Sequence, residues 1–325
     1  MKKVLFATSA LVASASMAYA DGHAGGVTLS GGGRFGIEYN EQAGDVAGGS
    51  STKIERRMTI NIDGSGSTDG GLEFGGRIRL RSQEGDATLP VSSANVWMGN
   101  DTFRITVGNA DGAMMQRLNY YAHGNVGLTG IGWQNLSFNI GSFGSGASFY
   151  VNSFSSRGNT GDVVRLDFNV GGFGVSLSTD STGDHLSNGS EDAIAANYNF
   201  GDWTVAAGYA DDAATIGGVA RDLVSASVVG SIGDFGVSLA YSDLEDIGGK
   251  VVLSGSYDFG DTSITGFVGN TDFDSAASQA LVGATEDTVY GIGFTHSLGG
   301  AVLAGGVSKS FNDNTRADLG VRFNF

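Results

Sequence analysis

The sequence predicts an all-β fold, a closed antiparallel barrel of sixteen strands that crosses a membrane. Three observations predict it. Apolar and polar residues alternate with a period of two along most of the chain. No apolar run after residue 20 approaches the 18 residues of a membrane-spanning helix. Tight glycine turns alternate with longer acidic connections, as in barrels with short turns on one side and long loops on the other.

Residues 1–20 are predicted to be a cleaved signal peptide. Lys2 and Lys3 precede an apolar run from Val4 to Val12, and Ala18-Tyr19-Ala20 has the small-residue pattern of a cleavage site. A membrane anchor is the alternative, but the apolar run is too short to span a bilayer. Residues 21–325 are predicted to form one β-barrel domain.

Composition removes several classes of protein. The chain has 55 glycines among 325 residues but one proline, whereas collagen needs a strict triplet and much proline. It has no cysteine, which excludes disulfides and thiolate metal sites. The net charge of −16 argues against a nucleic-acid partner, because phosphate binding needs a basic surface.

The alternation is clearest in the first and last predicted strands. Odd positions from 27 to 39 are apolar or glycine, whereas even positions are mainly polar or charged. The same pattern predicts strands at 27–39, 53–63, 72–82, 93–99, 103–109, 162–170, 173–180, 193–200, 203–210, 223–232, 235–242, 250–259, 262–269, 288–297, 301–308 and 315–325. An even number of strands places both ends of the barrel domain on one side of the membrane.

The connections divide into two kinds. Two-residue hairpin turns are predicted at Gly171-Gly172, Gly201-Asp202, Gly233-Asp234 and Gly260-Asp261, because glycine supplies the positive φ that such turns need. Long outer loops are predicted at 180–192, 211–222, 243–249 and 270–287. A soluble β-sandwich also alternates. Strands of about nine to eleven residues, aromatic residues near strand ends and an opposite face too polar for a protein core favour the membrane barrel.

The chain resembles the Gram-negative general-diffusion porins, most of all those of photosynthetic alphaproteobacteria. The resemblance rests on Leu29-Ser30-Gly31-Gly32-Gly33-Arg34-Phe35-Gly36, on the strand with Arg77 and Arg79, and on the final segment from Asp318 to Phe325. It implies a homotrimer in the bacterial outer membrane, with short periplasmic turns, long extracellular loops and passive diffusion of small hydrophilic solutes and ions. The resemblance also implies that the protein requires no cofactor and that Phe325 is the signal read by the outer-membrane assembly machinery.

The alternation of apolar and polar residues is lost from Asn109 to Gly161, a segment that we call the third loop. Loops of about fifty residues inside a compact domain are usually functional. An ordinary surface excursion is the alternative from the residues alone. The resemblance implies that this loop folds inward and constricts the channel.

A basic wall is predicted to line the pore. Inward positions of the first three strands and of the last strand carry the arginines Arg34, Arg57, Arg77, Arg79, Arg81 and Arg322. The alternative is pairing with the inward acids Glu38, Glu55 and Glu73.

The third loop departs from the family pattern, in which several carboxylates face the arginines. Its only acid is Asp111, and Arg117, Tyr120, Tyr121 and His123 are its predicted constriction residues. A basic wall opposite a neutral loop favours anions, whereas acidic outer loops concentrate cations. The sign of the ion preference therefore stays open.

Other functional hypotheses carry less support. The acid pairs Asp211/Asp212 and Asp272/Asp274 are candidate calcium ligands that could bridge to lipopolysaccharide, or simply solvated loop charge. A substrate-selective channel of the same fold is the main alternative function. An outer-membrane barrel hydrolase is less well supported, because no nucleophile motif is present.

Overall fold

The computed structural model describes residues 25–45, 49–86, 89–119, 122–131, 136–143, 146–147, 163–180 and 191–325. The predicted signal peptide lies outside the described residues and stays a prediction. Among the described residues, no helix has the length and apolarity to cross a membrane.

The described chain forms a closed barrel of sixteen antiparallel strands, as predicted. Each strand pairs with its neighbours in the chain, and the first pairs with the last. The strands are β1 Gly26–Asn40, β2 Thr52–Ser67, β3 Glu73–Gln83, β4 Asn95–Gly99, β5 Phe103–Gly108, β6 Val163–Val170, β7 Phe173–Asp180, β8 Glu191–Phe200, β9 Trp203–Ile216, β10 Val219–Ile232, β11 Phe235–Leu244, β12 Gly248–Phe259, β13 Thr262–Phe273, β14 Thr288–Ser297, β15 Val302–Lys309 and β16 Thr315–Asn324.

The apolar face points outward around the whole barrel. Ile54 is 71% exposed and Phe35 is 57% exposed, as expected for side chains that lie against lipid. Exposed aromatic residues gather at the turn end of the strands, where Phe235 and Tyr257 have ring centroids 4.4 Å apart. The predicted alternation and its aromatic girdle are therefore present.

The four predicted hairpin turns are confirmed. Each begins with a glycine at positive φ, between 58° and 66°, at Gly171, Gly201, Gly233 and Gly260. Two predicted long loops are wrong. Strands β9 and β10 continue to a turn at Gly217-Gly218, so 211–222 is mostly hairpin, and three residues join β11 to β12.

One wall of the barrel is low. Strands β4 and β5 have five and six residues, close to the predicted strands at 93–99 and 103–109, and fewer than the roughly nine to eleven residues of a membrane-crossing strand. Short helical segments lie in the connections: a 3-10 helix at Glu41–Gly44, α1 at Ala113–Arg117 and α2 at Ala276–Leu281. A two-residue pairing joins Ser142–Phe143 to Gly146–Ala147.

The barrel encloses a hydrophobic core, which corrects the expectation that its inner face is too polar for one. Apolar residues of the third loop pack inside the barrel against apolar inner positions of β8 to β14. The loop contributes Met114, Leu118, Val126, Ile131, Leu136, Phe138 and Ile140, and the wall contributes Ala195, Leu223, Val252, Phe267 and Val289. The third loop is therefore folded inward.

Candidate functional site

Helix α1 fixes the start of the third loop to β6, β7 and β8. Arg117 donates from Nε to Ser176 Oγ at 2.6 Å and from Nη1 to Asn169 Oδ1 at 2.7 Å. Burial lowers the pKa of Arg117, and the nearby Asp167 carboxylate opposes that shift. The Ala113 amide donates to Ser178 Oγ at 2.8 Å.

A buried lysine holds the middle of the loop. Lys250, on the inner face of β12, is fully buried and donates to the backbone oxygens of Leu136 at 2.9 Å and Asn139 at 2.8 Å. Its Nζ lies 5.0 Å from the centroid of the Phe311 ring. Two backbone carbonyls and an aromatic face thus surround the side-chain nitrogen of Lys250 in the core.

A buried aspartate holds the stretch of the loop that crosses β16. Asp318 Oδ1 accepts from the Leu128 amide at 2.8 Å, and Oδ2 accepts from the amide and the hydroxyl of Thr129, both at 2.7 Å. Next to it on β15, Ser308 Oγ donates to the carbonyl of Ile131 at 2.8 Å.

Inward glycines provide the space in which the loop lies. A Cβ at Gly306 would lie 2.7 Å from Val126 Cγ1, and one at Gly208 would lie 2.4 Å from Met114 Sδ. Both distances are far below an ordinary van der Waals contact, so only glycine fits without a shift. Further inward glycines contact the loop at Gly36, Gly174, Gly236, Gly293 and Gly320.

The loop leaves a cavity beside β1, β2, β3 and β16. Its volume is about 460 Å³. On one side lie Arg34, Arg57, Arg81 and Arg322, which we call the arginine cluster. On the other side lie Asn125, Leu128, Thr129 and Gly130, which we call the loop edge. The cavity therefore lies between four arginines and an uncharged segment of the loop.

Barrel closure brings the arginine cluster together. Arg34 is the register partner of Arg57 on β2 and of Arg322 on β16, so three arginines lie side by side on adjacent strands. Arg34 pairs with Glu55, whose Oε1 lies 2.6 Å from Nη2. Among the described residues, the side chains of Arg57 and Arg322 form no hydrogen bond or ion pair.

The other two predicted wall arginines lie away from the cavity lining. Arg77 is half-exposed and pairs with Asp63 at 2.6 Å. Arg79 donates to Ser92 Oγ at 3.2 Å, and the loop acid Asp111 lies within electrostatic range of it. The backbone carbonyl of Asp111 accepts a hydrogen bond from Arg165 Nη1.

The predicted acids have different surroundings. Glu38 is buried between Arg316, at 2.6 Å, and Lys53, at 3.4 Å. Glu55 belongs to the pair with Arg34. Glu73 is exposed at the turn end of β3. Pairing with a wall arginine therefore occurs at Glu55, whose partner is Arg34, whereas the partners of Glu38 lie outside the predicted wall.

The remaining predicted loop residues are partly described. His123 Nδ1 lies 3.0 Å from Ser256 Oγ, and burial lowers the pKa of this imidazole. Tyr120 and Tyr121 lie outside the described residues. Phe325 exchanges two backbone hydrogen bonds with Gly31, at 2.8 and 3.0 Å, and its ring covers that glycine.

The candidate calcium ligands are separated into two places. Asp211 and Asp212 lie with Asp222, their carboxylate oxygens within 4.8 Å of one another, where a register shift interrupts the pairing of β9 with β10. Asp272 and Asp274 lie at the end of β13. Calcium binding stays a prediction.

Lys250 and Asp318 are the functional residues that the sequence reasoning missed. Both occupy inward positions, and both bind a segment more than 100 residues away in the chain. The sequence did contain a signal that the loop packs against the inner wall. Glycine recurs on the inward face of several strands, at 174, 208, 236, 306 and 320, where a water-filled pore alone does not require it.

The barrel and its inward loop define the class of protein, a channel-forming barrel of the Gram-negative outer membrane. Residues 7–316 match the Gram-negative porin family, and the chain belongs to that family. It is 31% identical to a porin of Fuscovulum blasticum over 313 residues, which are 92% of this chain and all of that protein.

Solved structures agree with this assignment. A substituted variant of the Rhodopseudomonas blastica porin superposes with a TM-score of 0.70 at 28% identity, covering 92% of this chain and 100% of that one. A second variant of the same porin gives 0.70 at 27% identity with the same coverage. The protein is thus a passive diffusion channel of the outer membrane.

Proposed function

We propose that small hydrophilic solutes and ions cross the membrane through the space between the arginine cluster and the loop edge. The observation that carries the proposal is the cavity of about 460 Å³ that separates these two surfaces. The anchors at Lys250 and Asp318 hold the loop so that this gap sets the size limit. Solutes move down their gradients, and no covalent step is involved.

A single residue at the loop edge offers a direct test. Asn125 is exposed and lines the cavity. We expect Asn125→Trp to reduce single-channel conductance in planar bilayers, because an indole would occupy part of the cavity that Asn125 lines. Asn125→Ala is the matched control and should conduct at least as well as the parent protein. Equal conductance in all three proteins would place the route elsewhere.

The assembly is proposed to be a homotrimer. Its support is the low wall of β4 and β5, which is too short to cover the hydrocarbon core and exposes Val96, Met98 and Phe103. A neighbouring copy would cover that surface. Light scattering of the detergent-purified protein should give three copies, and a monomer at micromolar concentration would overturn this part.

The assembly machinery and lipopolysaccharide are proposed as partners because the chain belongs to a family of outer-membrane porins. Phe325 ends the chain beside Gly31 and is proposed to be recognised by the assembly machinery. Acidic outer loops are proposed to meet lipopolysaccharide through divalent ions. Deleting Phe325 should lower the amount of protein that reaches the outer membrane, measured by membrane fractionation.

A further inference from the structure

We propose that the arginine cluster is a saturable binding site for phosphate-class oxyanions inside the channel. This inference rests on the proposed route for solutes and adds the class of solute that the route retains. It makes the protein a channel that binds phosphate-like anions as they pass.

The charge of the cavity is the first argument. Among the described residues, its lining contains four arginines and no carboxylate. Two acids lie just outside the lining: Glu55 is engaged by Arg34, and Asp318 is engaged by Leu128 and Thr129. The guanidinium groups of Arg57 and Arg322 therefore have no carboxylate partner in the lining. They lie in a cavity partly closed off from bulk water, where an anion gains more than it would in open solution.

The geometry of the donors is the second argument. Arg322, Arg34 and Arg57 are register partners on adjacent strands, so their backbones lie about 5 Å apart. Guanidinium groups present several N–H donors in a planar fork, which suits the oxygens of phosphate. Among the described residues, the side chains of Arg57 and Arg322 make no hydrogen bond or ion pair, so their guanidinium donors are available to a ligand.

Neutral hydrogen-bonding groups complete the lining. Thr59, Asn61, Asn125 and Asn324 add hydroxyl and amide groups around the same cavity. The volume of about 460 Å³ has room for a tetrahedral oxyanion with some of its water or for a small phosphorylated solute. A general basic surface would lack this enclosure.

The test is chloride current through single channels with inorganic phosphate added at constant ionic strength, and sulfate as a second oxyanion. We expect a saturating reduction of the current by both oxyanions. Arg57→Gln combined with Arg322→Gln should weaken the apparent affinity by about tenfold or more, because hydrogen bonds to charged groups are lost.

Arg77→Gln is the matched control. It removes one arginine from the same wall, but Arg77 pairs with Asp63 and does not line the cavity. The control should keep the saturating reduction of chloride current by phosphate. Heat-modifiable migration on gels should show that each variant is folded.

The outcomes separate this inference from the channel itself. A parent protein that conducts chloride but shows only a linear, non-saturating response to phosphate would overturn the inference and leave the channel intact. The same weakening in Arg77→Gln as in the double variant would also overturn it, because general lumen charge would then explain the response. Absence of any current would instead refute the proposed route.

Discussion

The anchor at Asp318 allows the docking of the third loop to be tested quantitatively. Asp318→Ala removes the acceptor of three hydrogen bonds and leaves the amides of Leu128 and Thr129 without it. Each buried amide without an acceptor costs about 1–3 kcal/mol, so two cost about 2–6 kcal/mol. Even the lower figure corresponds to an undocked population increased by about 30-fold.

Hydrogen exchange measured by mass spectrometry reports that population. We expect amides in 122–131 to exchange at least about 30-fold faster in Asp318→Ala than in the parent, because exchange of a docked segment requires local opening. The rest of the barrel should keep its protection, since none of its strand pairing is changed.

Asp167→Ala is the matched control for this experiment. Asp167 is also a buried inward carboxylate, and it accepts from Arg165 at 3.0 Å and from Ser176 at 2.5 Å. Its loss should loosen the α1 end of the loop and leave 122–131 protected. Unchanged exchange in Asp318→Ala, or equal acceleration in both variants, would refute the anchoring role of Asp318.

Three further perturbations test the lumen and the docking of the loop. Glu55→Gln removes the partner of Arg34, so the reversal potential under a KCl gradient should move toward anion preference; an unchanged value would contradict the electrostatic role of the pair. Gly306→Ala places a Cβ 2.7 Å from the loop residue Val126 and should lower the free energy of unfolding, measured by thermal denaturation, by about 1–3 kcal/mol. Gly64→Ala is the control and should leave it unchanged, because no atom lies within 4 Å of the added Cβ. Burial in the docked loop lowers the pKa of His123 below its ordinary 6.5. On acidification, His123 is therefore protonated in the undocked loop at a higher pH than in the docked loop, which favours undocking. Loop protection should therefore be complete above about pH 6.5 and fall below it, and His123→Gln should remove that pH dependence in hydrogen exchange.

The strands and turns were predictable because their determinants are local. A period of two identifies each strand, and a glycine at positive φ identifies each hairpin. The hairpin at Gly217-Gly218 carried the same signal between Ile216 and Val219, yet the acids around it favoured a loop prediction. The short β4 and β5 were also predicted, at 93–99 and 103–109, within two residues of their observed bounds.

The site was predictable only in part, because its assembly is non-local. Parity alone placed Arg34 and Arg57 on the inner face. Their grouping with Arg322 depends on the register in which β1 closes against β16. The position of the third loop inside the barrel depends on contacts such as that between Asp318 and Leu128, which are 190 residues apart in the chain. Inward glycines acquire their meaning only after the barrel closes and the loop lies against them.

Planar-bilayer conductance of the detergent-purified protein tests the central claim most directly. We expect large, stable current steps that close in threes under voltage, because a trimer of water-filled pores is narrowed but not blocked by the third loop. Protein that is folded, inserted in the bilayer and electrically silent would contradict it, because the lumen beside the arginine cluster would then not be an open route.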